Sequence, residues 1–181
     1  WADAVHQAFV YNRNGKAGVG TSVLNKGIIW AADTFAALRQ GTSYGLDPDE
    51  RDTTVFQSRG ESIKLTGDGV TSSAWRMWEV IDSNNILQYR GRYVTVTFNV
   101  WVADGADPWM GRGSLYDGTN TTLSANGGPQ GDNFFKQSIT VKVASAATYL
   151  RAYVYLANGA PTSGVCRVDG ITIADGPLPR A

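Results

Sequence analysis

The chain has 181 residues, enough for one domain with a sizeable core. Its 16 basic and 16 acidic residues cancel and no basic run occurs, which argues against duplex DNA or an anionic membrane surface as partner. One cysteine rules out an internal disulfide, and no apolar run nears the ~20 residues of a membrane helix.

Residues 1–31 are read as an extended N-terminal arm: a weakly apolar start, the Gly-rich "NRNGKAGVG" at 12–20, then the short β-like pieces "SVL" and "GIIW". Such an arm suits pairing with a neighbouring subunit, although an ordinary first strand plus loop fits equally. Residues 32–181 are read as the folded domain. "ADTFAALRQG" (32–41) suits one or two helical turns, capped by Asp33 or Thr34 and ended by Gly41. Strand candidates follow at Thr54–Gln57, Ser62–Thr66, Ala74–Asp82, Tyr93–Ala103, Gly113–Tyr116, Ser138–Val143, Thr148–Ala157 and Val165–Ala174, divided by Gly-, Asn- and Asp-rich turns. The pattern describes an all-β, two-sheet antiparallel sandwich.

Residues two apart on a strand share a face. In "YVTVTFNVWV" (93–102), Val94, Val96, Phe98, Val100 and Val102 form an apolar face. Tyr93, Thr95, Thr97, Asn99 and Trp101 form the other. In "TYLRAYVYL" (148–156), Leu150, Ala152, Val154 and Leu156 face in, and Tyr149, Arg151, Tyr153 and Tyr155 face out. Outward rings interleaved with hydrogen-bonding groups have two readings. They pack against a loop or another subunit, or they form a platform for a sugar ring, whose C–H face stacks on Tyr or Trp while its hydroxyls meet Asn or Arg. The platform reading joins Thr95, Asn99, Trp101, Arg151, Tyr153 and Tyr155 into one surface, with Trp109 at a loop tip. Of Trp75, Met77 and Trp78, alternation puts the first two on one face and Trp78 on the other, without saying which is core.

The one histidine, His6, lies in the arm, away from any nucleophile. No His/Cys cluster has zinc spacing. Cys166, with apolar flanks, reads as a buried small residue. A glycosidase acid pair would have to come from Glu79, Asp104 and Asp107, but "DGADP" is also an ordinary turn. The expectation is that the domain is not an enzyme.

The ordered segments "RGESIKLTG", "SSAWRMWEVID", "YRGRYVTVTFNVWVADG" and "SGVCRVDGITIADGPLP" resemble the jelly-roll domains similar to carbohydrate-binding modules, found in bacterial glycanases and in phage tail fibres and other virion proteins. "FAALRQGTSYG" (35–45) resembles the stretch that opens the phage fibre version, with Arg39-Gln40 in swapped order. The resemblance spans roughly residues 33–177. It implies a β-jelly roll whose ligand lies on a concave sheet face or in the loops at one end. It also implies a structural calcium ion, with Asp169 in "RVDG" at the last-strand position and Asp33 the nearest match to the N-terminal acidic ligand; Asp169 reads equally as a bulge or turn residue beside Gly170. The function expected is a non-catalytic structural or adhesion domain of a phage virion, of capsid-decoration or tail-fibre type, with glycan binding on the aromatic face. Its partners would be other virion subunits, copies of itself and a polysaccharide, in a virion or extracellular setting and without nucleic acid or membrane. The alternative is a carbohydrate-binding module of a polysaccharide-degrading enzyme.

Overall fold

The structure, a computed structural model, describes residues 28–57, 60–103, 107–124, 127 and 133–176. Its elements in chain order are β1 (Ile28–Ala32), α1 (Phe35–Leu38), β2 (Thr42–Tyr44), β3 (Glu50–Asp52), β4 (Ser62–Thr66) and β5 (Ser73–Ile81). A 3-10 turn (Ile86–Tyr89) precedes β6 (Tyr93–Val102), β7 (Arg112–Tyr116), β8 (Thr121–Leu123), β9 (Phe134–Lys142), β10 (Leu150–Asn158) and β11 (Val165–Asp175).

The strands make two antiparallel sheets. The first runs β3-β4-β11-β6-β9, and β1 also pairs with β11; the second runs β2-β5-β10-β7-β8. Strand alternation explains the division between inside and outside. Val94, Val96, Phe98, Val100 and Val102 are all fully buried, as are Leu150, Ala152, Val154 and Leu156, and the two sets join in one core. Ile171 and Ile173 of β11 and Leu115 of β7 complete it. Cys166 faces inward opposite Leu65 and Val102, and burial pushes its thiol up to about 12, so it is inert at neutral pH.

Several boundaries differ from those the sequence suggests. Ile28–Ala31, assigned to the arm, are sheet residues: β1 pairs with Ile171–Ala174 of β11. The rest of the arm, with His6, lies outside the described residues. The strand expected at Thr54–Gln57 is displaced to Glu50–Asp52, because the Asp52 carboxylate accepts the backbone N–H groups of Thr54 and Val55 and turns the chain there. β2 and β8 were not anticipated; at three residues each, they carry too little alternation to register.

Trp78 is the core member of its trio, and it builds one end of the second sheet. Its indole N–H donates to Leu38 O at 2.7 Å. The neighbouring inward residue, Arg76, is likewise buried; it donates to Arg39 O at 2.8 Å and pairs with Asp49 at 2.7 Å and with the Ser43 hydroxyl. These two side chains satisfy carbonyls at the C-terminal end of α1, whose start is capped by the Thr34 hydroxyl accepting from Ala37 N. They thereby seat β2, and with it Tyr44, along the edge of β5.

Candidate binding face

The outer surface of the second sheet is organised in rows that cross the strands. Register sets the first row: Tyr44 lies opposite Trp75, Trp75 opposite Tyr155, and Tyr155 opposite Arg112. The next row holds Thr42, Met77, Tyr153, Ser114 and Leu123, and the third Glu79, Arg151, Tyr116 and Thr121. At ~4.8 Å between strands, the first row is a track of roughly 14 Å running from Tyr44 to Arg112.

The rings of this face touch one another in series. Tyr44 stacks on Trp75 (centroids 5.6 Å apart), and Trp75 meets Tyr153 edge-on at 5.4 Å. Tyr153 stacks beside Tyr155 at 6.2 Å, and Trp109 meets Tyr155 edge-on at 5.8 Å. Tyr44 is 53% exposed and the other four are half-buried, so each is held by neighbours yet reaches the surface. Burial pushes the Tyr153 and Tyr155 phenols above the ordinary tyrosine range, so both remain hydroxyl donors at neutral pH. On the third row the Arg151 guanidinium lies 3.9 Å from the Tyr149 ring centroid and 3.8 Å from the Glu79 carboxylate.

Arg112 closes the first row, and its backbone is fixed from inside the core. The Gln137 side chain, buried on the inner face of β9, accepts from Gly113 N at 3.0 Å and donates to Gly111 O. It thus clamps the peptide groups on both sides of Arg112. The flanking glycines are required by close approach: a Cβ on Gly111 (φ +75°) would lie 2.4 Å from Val102 Cγ2, and one on Gly113 2.9 Å from the Phe98 ring. With both neighbours pressed on the core, Arg112 points outward. Its guanidinium sits 4.8 Å from the Trp109 ring centroid, and its Nε donates to Ser124 O at 2.9 Å.

The single surface expected from strand parity does not form. Arg151, Tyr153, Tyr155 and Trp109 come together as described, but Thr95, Asn99 and Trp101 belong to β6, in the other sheet. The two sheets turn their inner faces to one core, so these residues lie on the opposite side of the molecule. There Trp101 is covered by the Arg167 guanidinium, 4.2 Å from its ring centroid, and Arg167 is held by Asp52 at 2.6 Å. Thr95 is 1% exposed and its hydroxyl bonds with Thr140 Oγ1 and Gly176 O, both at 2.8 Å. The Trp101 ring and the Thr95 hydroxyl are thus committed to the protein itself.

Asp52 has a further consequence. Burial raises its pKa, but hydrogen bonds from the Thr54 hydroxyl, Arg167 and the backbone N–H groups of Thr54 and Val55 outweigh that, and the net position is well below the ordinary carboxylate range. A depressed folded-state pKa contributes stability that is present above the unfolded value of ~4 and is lost as pH falls below it. The melting temperature should therefore drop as pH falls from about 5 toward 2. Asp52→Asn should melt lower at neutral pH and show a shallower acid decline. A decline parallel to the wild type's would refute this assignment.

Asp169 is the bulge residue of β11, between Val168 and Gly170, and its Oδ2 accepts Gln57 N at 2.9 Å. Asp33 follows β1 directly, and Ala32 O lies 3.8 Å from where a Cβ on Gly170 would sit, so the two segments adjoin. Among the described residues no three His, Cys, Asp or Glu side chains gather around one point. A calcium ion at this place would need oxygens other than carboxylates, such as backbone or amide carbonyls or waters, to fill its coordination. Of the acid candidates, Glu79 faces Arg151, Asp107 accepts Trp109 N at 2.7 Å as a turn cap, and Asp104 lies outside the described residues.

Tyr44, Trp75 and Arg112 are members of the face that the sequence did not nominate. The outward parity of Trp75 was visible but undecided, and nothing local marks Tyr44 as paired to it.

No protein-family model matches the chain, and no curated protein matches it. Solved structures do. The C-terminal family 22 carbohydrate-binding module of Clostridium thermocellum Xyn10B superimposes with a TM-score of 0.62 at 12% identity, over 86% of this chain and 98% of that one. The CBM22-2 xylan-binding domain of Paenibacillus barcinonensis Xyn10C gives 0.55 at 17% identity, over 81% of this chain and 99% of that one. The enzymatically active domain of bacteriophage CBA120 tailspike protein 4 gives 0.56 at 14% identity, over 87% of this chain but 21% of that one. At these identities the likeness defines the fold: a β-jelly roll of the carbohydrate-binding-module type, shared with glycanase modules and with part of a phage tailspike.

Proposed function

We propose that the outer face of the second sheet binds a polysaccharide, with Tyr44, Trp75, Tyr153, Tyr155 and Trp109 as the stacking platform and Arg112 and Arg151 as hydrogen-bond donors. The observation that carries this is the unbroken series of four contacts that joins five rings on a solvent-facing sheet surface. Contiguous exposed aromatic area of this kind marks a binding surface, and sugar rings offer the matching alternation of C–H faces and hydroxyls. The likeness to a family 22 carbohydrate-binding module and to a xylan-binding domain supports it. The test is a glycan array followed by affinity electrophoresis in the polysaccharides that score. Tyr155→Ala should lose retardation and Trp101→Ala, on the opposite side, should keep it. Retardation lost only with Trp101→Ala would move the site to the other sheet.

For context we favour a non-catalytic adhesion domain of a phage virion, present in several copies so that individually weak sites gain strength together. The resemblance of "FAALRQGTSYG" to the stretch that opens the phage fibre version and the likeness to part of a tailspike support this reading. The xylanase modules support the second reading, an accessory module of a polysaccharide-degrading enzyme. Mass spectrometry of purified particles distinguishes them: recovery within virions supports the first, recovery on one chain with a glycanase the second. A structural calcium held by Asp169 and Asp33 completes the proposal. Adding EGTA should then lower the melting temperature, and an unchanged transition would remove the ion.

A further inference from the structure

We propose that the Arg112 end of the aromatic row receives a carboxylate on the sugar chain, so that the platform selects acidic polysaccharides over neutral ones. This rests on the platform reading and adds the chemical class of the ligand. Among the described residues Arg51, Arg76, Arg92, Arg151 and Arg167 each face a carboxylate. Arg112 does not. Its Nε is committed to the neutral carbonyl of Ser124, and its two terminal nitrogens have no acceptor among the described residues. Asp107, close in sequence, is turned to the backbone N–H of Trp109.

The fork is nevertheless held in place. Gln137 clamps the peptides on either side, the Ser124 carbonyl fixes Nε, and the Trp109 ring lies along the guanidinium. A planar cation held in this way, with no acceptor for its terminal nitrogens among the described residues, matches the two oxygens of a carboxylate. The other cation of the face, Arg151, lies two rows away, roughly 14 Å along the strand at ~3.4 Å per residue, and already faces Glu79. Among the described residues Arg112 is thus the cation of this face that meets no carboxylate, at the end of a track of rings that would carry neighbouring sugar units to it.

The test uses the whole chain in affinity electrophoresis with polygalacturonate, alginate and glucuronoxylan, each against its carboxyl-reduced form. At least one acidic polymer should bind about tenfold more tightly than its reduced form at low salt, with the ratio falling as salt rises. Arg112→Gln should bring that ratio close to one. Arg112→Lys, which keeps the charge without the fork, should lose most of it. Thermal melting of both variants confirms folding. Equal binding of acidic and reduced forms by the wild type, or a ratio unchanged in both variants, overturns the proposal and leaves the platform standing. Failure of the wild type to bind either form of any polymer overturns both.

Discussion

Trp75→Ala is expected to weaken polysaccharide binding by roughly 30-fold, about 2 kcal/mol, the scale of a central aromatic anchor. Trp75 is the middle of the row. Tyr44 stacks on it from β2, Tyr153 meets it from β10, and register sets it directly opposite both Tyr44 and Tyr155. Truncation removes one of the two indoles of the platform and also the support that orients its neighbours. The fold should survive, because the ring is half-buried on the outer face and takes no part in the core. Isothermal titration calorimetry, with melting as a folding control, checks this. Wild-type affinity in a folded Trp75→Ala protein would remove Trp75 from the site.

Trp78→Ala should have the opposite profile: about 3–5 kcal/mol of lost stability, the range for truncating a buried aromatic. For a domain of this size that lowers the melting temperature by on the order of 10 °C. Trp78 is 1% exposed on the inner face of β5, and its removal leaves a cavity beside Leu38 as well as depriving Leu38 O of its shortest hydrogen bond, at 2.7 Å. β2 is seated by the same contacts, so Tyr44 should loosen and binding should weaken beyond what the unfolded fraction explains. Denaturant unfolding of the two Trp variants in parallel tests the division: Trp75→Ala near wild type, Trp78→Ala strongly shifted. Equal stabilities would contradict the assignment of inner and outer faces.

The contrast between these neighbours shows what was legible in the sequence. Alternation is a local property, so the inner halves of β6 and β10 could be read directly, and every one of those apolar residues is buried. Alternation says inside or outside; it does not say which sheet. That depends on long-range pairing, and β10 joins β5 and β7 while β6 joins β11 and β9. Hence Trp101, with the same parity signal as Tyr155, falls on the far side beneath Arg167. Arg76 was hidden for another reason: a charged residue in an inward position reads as an error in the pattern until its partner Asp49 and the carbonyls of α1 are brought beside it. "MGRG" held a real signal, since glycines on both sides of an arginine mark a backbone pressed against something, but the partners Phe98, Val102 and Gln137 are supplied by the fold.

Chemical-shift mapping of backbone and indole N–H groups during titration with a polysaccharide selected on the array separates the two outer sheet faces. Perturbations should concentrate at Tyr44, Trp75, Tyr153, Tyr155, Trp109 and Arg112, with Thr95, Asn99 and Trp101 unmoved. Perturbations confined to β6 and its neighbours in the first sheet would contradict the proposed site.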